Sequence, residues 1–106
     1  MMTVEPGFYL ADQFGLRVEN QVEVVDAGEG FLRLESLTHV PIDLSLANIG
    51  ALTGEETAFL DRYHRQVRDA LLDRVVSEAR PFLIASTEAI GAGRSSADVS
   101  VSRTSA

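Results

Sequence analysis

Glu5 and Glu19 are the side chains from which chemistry is most readily built. Glu5 stands immediately before Pro6-Gly7, and Glu19 closes the run Gly15-Leu16-Arg17-Val18-Glu19. A carboxylate just ahead of a Pro-Gly turn ends a strand at a well-defined point, which suits a group that must hold a ligand still. Hard divalent ions such as Mn²⁺ take carboxylate oxygens, and a two-metal hydrolytic site gathers several of them around both ions. As bare residues, two glutamates in a β-rich segment are ordinarily surface or strand-end groups, so this reading stays open at this level. Arg17, likewise, reads on its own as a surface arginine whose stem lies along the sheet.

The elements that must position these residues are strands. Met1 to Glu5 has strand character and is stopped by Pro6-Gly7. Phe8-Tyr9-Leu10 follows, and its two aromatics read as core. After the polar turn Ala11 to Gly15, the β-prone residues Leu16, Val18, Val22, Val24 and Val25 form one long strand or a bent pair. Asp26 to Gly30 is a turn with two glycines able to take positive φ, and Phe31 to Leu37 is a further strand. Short connections make the pairing antiparallel. Pro41 to Leu52 is a connector. A helix then opens at a capping box, Thr53 with Glu56, and carries the apolar stripe Leu60, Tyr63, Val67, Leu71 and Val75. Its arginines and aspartates predict a solvated face laced with intrahelical charge pairs. Pro81 marks a second boundary before a short helix from Phe82 to Ile90. From Gly91 on, few apolar anchors remain and disorder is expected. The fold class is therefore α+β.

Composition narrows the chemistry. With 106 residues the chain is one domain at most, and 16 acidic against 9 basic residues give a net charge of −7. That balance argues against nucleic acid and anionic membranes as partners. Absence of cysteine excludes disulfides, thiolate metal sites and a cysteine nucleophile, and leaves His39 and His64 as the imidazole nitrogens. Gly28-Glu29-Gly30 lacks the glycine spacing and lysine of a phosphate loop. Ser36, Ser45 and Ser77 have no base and acid at useful spacing. The first residues have neither the basic leader nor the apolar core of a signal peptide, so a cytoplasmic protein is expected.

The phrase Thr3-Val4-Glu5-Pro6-Gly7-Phe8-Tyr9 is similar to the Thr-(Val/Asp)-Glu-Pro-Gly-(Tyr/Ile)-Tyr of the Xaa-Pro aminopeptidase (aminopeptidase P) family of pita-bread metallopeptidases. Gly15-Leu16-Arg17-Val18-Glu19-Asn20 is similar to its Gly-(Ile/Val)-Arg-Ile-Glu-Asn. Leu34-Glu35-Ser36-Leu37-Thr38-His39-Val40-Pro41-Ile42-Asp43 resembles the Phe-Glu-Pro-Leu-Thr-Leu-Val-Pro-Ile-Asp of the longer, three-domain branch. Leu52-Thr53-Gly54-Glu55-Glu56 and Tyr63-His64 also align with that branch's C-terminal segment. The matches run in order over about residues 1 to 90.

This resemblance implies the last strands of a pita-bread catalytic domain over 1–29, a strand-plus-helix C-terminal extension over 30–90, and a tail over 91–106. Glu5 would coordinate one of two metal ions, by family habit Mn²⁺, and Glu19 would bridge both. Arg17 would orient a carboxylate by charge-assisted hydrogen bonds. The reaction implied is removal of the N-terminal residue preceding proline in a peptide. The family's two metal-binding aspartates and its histidines belong upstream of Met1. His39, where the branch is usually apolar, and His64, on a helix, do not replace them and read as structural. Two carboxylates alone are expected to bind a divalent ion weakly or not at all. The expectation is thus a C-terminal fragment of the enzyme, inactive alone, with an N-terminal complementing chain or a second copy as partner. The severed sheet edge favours association. The alternative is a non-catalytic interaction or dimerisation module derived from such an enzyme.

Overall fold

Pro6 divides what would otherwise be one long hairpin. In the computed structural model, which describes residues 1–90, the chain forms two units that meet in sequence at His39 and Val40. The first holds strands β1 (Met2–Val4), β2 (Gly7–Leu10), β3 (Phe14–Arg17), β4 (Asn20–Gly28) and β5 (Phe31–Ser36). β4 lies between β1 and β5 in one antiparallel sheet, and β2 pairs with β3 in a second. The two ladders nevertheless share one register. β1 ends with Val4 opposite Asn20, and β2 begins with Gly7 opposite Arg17. Carried across the gap, that register sets Glu5 opposite Glu19 and Pro6 opposite Val18, and the Val18 N–H indeed donates to the Pro6 carbonyl at 3.2 Å. Proline has no N–H to return the second bond, so the ladder is interrupted there.

Both turns of this unit place residues in the left-handed region. Asp12 has φ 58°, which a short polar side chain tolerates, and Gln13 N–H donates to the Leu10 carbonyl at 3.0 Å. At the β4–β5 tip, Gly28, Glu29 and Gly30 all have positive φ, and the Asp26 carboxylate accepts from the Gly28 N–H at 2.7 Å. The expected positive-φ glycine turn is therefore present.

Alternation sorts the side chains of β1 to β3 and the start of β4. Thr3, Glu5, Tyr9, Arg17, Glu19 and Gln21 share one face; Met2, Val4, Phe8, Leu10, Phe14, Leu16 and Val18 share the other. Every residue of β1, β2 and β3 is exposed, and the Phe8 and Phe14 rings, 6.0 Å apart, keep 56% of their surface each. Val22 is this unit's buried apolar side chain among the described residues.

The second unit, from Val40 on, has a core. α1 (Gly54–Leu71) starts at the expected capping box: Glu56 N–H donates to Thr53 Oγ1 at 3.1 Å, and Thr53 N–H to the Glu56 carboxylate at 2.9 Å. Tyr63, Val67 and Leu83 pack together, with Ile42, Leu71, Leu72 and Val75 against them. α1 stops at Leu71, short of the stripe's Val75, in a turn where the Arg74 and Val75 N–H groups both donate to the Leu71 carbonyl. α2 (Arg80–Ser86) takes Pro81 into its first turn, where the missing N–H has no intrahelical partner to lose. It ends at Ser86, before the expected Ile90. Arg68, expected on a solvated face, instead donates to the Ile84 carbonyl and Thr87 Oγ1, both at 2.9 Å, and Asp61 accepts from the Ile90 N–H at 2.9 Å. These two α1 side chains close the end of α2. The tail expected over 91–106 lies outside the described residues.

Candidate functional site

The Pro6 interruption is where the extended register sets the two glutamates opposite each other. Because Pro6 and Val18 form the hydrogen-bonded position, Glu5 and Glu19 occupy the neighbouring non-hydrogen-bonded one, where opposed side chains approach most closely. Like charges directly opposite each other are unfavourable unless a cation offsets them. Arg17, opposite Gly7 on the same face, is one such cation. Its basicity is raised above the ordinary arginine value, first by the hydrogen bond with Tyr9 and then by the field of Glu5, with Glu19 contributing. It therefore stays charged at every working pH.

Arg17 is held in place by its neighbour. Nε donates to Tyr9 Oη at 2.8 Å, and the guanidinium carbon lies 5.8 Å from the Tyr9 ring centroid. Glu5 accepts from Thr3 Oγ1 at 3.0 Å, a contact within its own strand end. The remaining carboxylate oxygens form a hard, all-oxygen donor set, of the kind that suits Mg²⁺, Mn²⁺ or Ca²⁺. Among the described residues no group of three or more histidine, cysteine or acidic side chains is arranged to hold a metal ion. The donor chemistry thus fits a divalent ion, and completing a coordination sphere takes ligands from beyond these two.

Sequence and structure differ at Tyr9. Read as core by aromatic type, as Phe8 is, it is 60% exposed and lies on the charged face, while Phe8, also exposed at 56%, lies on the other. The available signal was parity: in the hairpin's register Tyr9 has the side of Glu5, Arg17 and Glu19. Of the two histidines, His39 is exposed. His64 is fully buried in the second unit, where its Nε2 accepts from the Ile42 N–H at 3.0 Å. Tyr63 Oη beside it donates to the Val40 carbonyl at 2.7 Å, so the pair straps the connector onto α1. No helix among the described residues is long and apolar enough to cross a membrane.

Comparison with known proteins meets this geometry. The family described as the C-terminal region of peptidase M24 matches residues 30–90, more than half the chain, beginning in the turn between β4 and β5. Xaa-Pro aminopeptidase app-1 of Caenorhabditis elegans is 40% identical over 72 residues, which cover 63% of this chain and 12% of that protein. Aminopeptidase P1 of Arabidopsis thaliana is 36% identical over 77 residues, 66% of this chain and 12% of that protein. The chain thus spans only a small part of the length of the curated relatives it matches. Among solved structures, X-prolyl aminopeptidase from Caenorhabditis elegans, described as a cytosolic enzyme with a di-nuclear active site, superposes with a TM-score of 0.73 at 34% identity. That match covers 83% of this chain and 16% of the other. With the α+β order of strands then helices in agreement, the chain belongs to the family of the C-terminal region of peptidase M24, and its kin are the Xaa-Pro aminopeptidases.

Proposed function

We propose that this chain supplies the last two metal-binding carboxylates of a dinuclear Xaa-Pro aminopeptidase, Glu5 to one ion and Glu19 to both. The observation that carries the reading is the register that sets these two side chains against each other on one face, beside a guanidinium. Divalent ions held there, Mn²⁺ in this reading, would polarise a peptide carbonyl and lower the pKa of a water. Glu5 and Glu19 hold and space them. Arg17, on the same face, would limit the repulsion between the carboxylates through its charge, and Tyr9 holds Arg17. The substrate class is a peptide with proline in second position, and the setting is the cytosol.

On this reading the 106-residue chain is a C-terminal part that acts together with an N-terminal part, joined to it or separately made. The exposed apolar face of β1 to β3 is the surface such a part would cover. The test is to join the chain, covalently or by co-expression, to the N-terminal part of an aminopeptidase P. Metal content and release of the first residue from an Xaa-Pro peptide are then measured. Glu19→Gln is expected to lose both ions' occupancy and activity, and Glu5→Gln to lower metal content. A Glu19→Gln enzyme with full metal and full rate would overturn the proposal.

A further inference from the structure

Gly7 and Gly15 sit within the charged face, Gly7 opposite Arg17 and Gly15 opposite Tyr9. Glycine in a strand weakens it, so its presence twice in one short hairpin needs a cause. Backbone conformation is not that cause: the glycines with positive φ are Gly28 and Gly30, and Gly7 and Gly15 have angles open to any L-residue. Space is. A Cβ on Gly15 would fall 2.5 Å from Tyr9 Cδ1 and 3.0 Å from Cε1. A Cβ on Gly7 would fall 2.7 Å from Tyr9 Oη and 3.0 Å from Cε2 and Cζ. The ring therefore lies along the strand pair with its body over Gly15 and its hydroxyl end over Gly7. From there the hydroxyl meets Arg17 Nε.

We propose that Gly7 and Gly15 are positioning residues: together they form a bare floor on which Tyr9 lies flat, and so they set the Arg17 guanidinium beside Glu5 and Glu19. A methyl at either site meets a rigid aromatic ring rather than the end of a flexible chain, and the ring can yield only by standing up from the sheet. The hydroxyl would then leave Arg17, and the arginine would lose the contact that aims it. The inference rests on the metal-site reading for its function, but its geometry is testable without any metal.

The experiment uses the 106-residue chain and NMR. In the parent, the Arg17 Hε resonance is expected to exchange slowly with water and to show a nuclear Overhauser contact to the Tyr9 ring. In Gly15→Ala and in Gly7→Ala, that contact should disappear and exchange should quicken by about tenfold, the loss of one hydrogen bond. Cutting the ring away reverses the logic. In a Tyr9→Ala background, Gly15→Ala should keep the cross-strand contacts of β2 and β3 and leave Arg17 Hε unchanged, because nothing then occupies the floor. An Arg17 Hε unaffected by Gly15→Ala would overturn the proposal. Strand pairing lost in Gly15→Ala and not recovered by adding Tyr9→Ala would overturn it too, since the glycine would then serve the backbone. Metal content of the chain joined to an aminopeptidase P N-terminal part, compared between parent, Glu5→Gln and Glu19→Gln, reads the metal site separately. Metal content that ignores both glutamates would sink the metal reading while leaving the floor standing.

Discussion

The unit from Val40 on encloses Tyr63, His64, Val67 and Leu83, with Val67 and His64 fully buried, and among its described residues holds no group of three or more histidine or acidic side chains able to take a metal ion. The unit before it carries Glu5, Glu19, Arg17 and Tyr9 on one face, and leaves the apolar opposite face open to solvent. One part has a core and the other presents the candidate site residues. A two-stranded antiparallel pair is marginal by itself, and an apolar face must be covered by something to contribute stability. The strands that present Glu5 and Glu19 thus have little packing of their own to hold them, whereas the helical unit has a core.

The sharpest way to break that contrast is to put the same charge into each part. Val67→Asp places a carboxylate where the parent side chain has no exposure, and should cost more than about 4 kcal/mol, abolishing a cooperative urea transition followed by Tyr63 fluorescence. Leu16→Asp, on the open face, should change the same transition by no more than about 0.5 kcal/mol. Equal effects would mean that the open face is in fact buried in solution. Arg68→Ala comes next. It removes two donated bonds, to Thr87 Oγ1 and to the Ile84 carbonyl, which keeps the Thr87 N–H, and should cost about 1 kcal/mol in denaturant melts. Thr53→Ala removes one arm of the capping box for about 1 kcal/mol, seen as a small fall in midpoint and fraying of the first turn. The smallest effect belongs to the first unit: Glu35→Gln breaks an exposed ion pair with Arg33 of 3.2 Å and should shift stability by about 0.5 kcal/mol or less.

What the sequence discloses follows the same division. The start of α1 is legible because its signal is local: Thr53 and Glu56 satisfy each other's backbone within one turn. The stripe names Tyr63, Val67 and Leu71 for the core, since a helical period needs no partner to be read. The end of α2 is not legible, because its carbonyls are met by Arg68 from another helix. Pro81 is visible, but whether it precedes a helix or enters its first turn depends on which residue starts that helix. In the first unit the glutamates can be picked out by type, motif and neighbourhood, yet their opposition exists only once the register is known. Tyr9 was misplaced for the same reason: aromatic type suggests burial, and only strand parity assigns its side.

The turn through Ala11, Asp12 and Gln13 has no chemistry of its own, yet its length is a gauge for the distant carboxylates. Remove one residue from it, and Glu5 comes to stand opposite Val18 or Asn20, with the side chains of Glu5 and Glu19 no longer partners on one face. Remove two, and the turn can re-form from Leu10 and Phe14, the ladder closing on Tyr9 and Gly15 with Glu5 and Glu19 still opposed. Outside Asp12, whose left-handed backbone restricts the choice, composition in that turn is therefore cheap to vary, while its residue count is constrained, most strictly against odd changes. A one-residue insertion at that exposed tip, far along the strands, would part Glu5 from Glu19 as surely as replacing one of them.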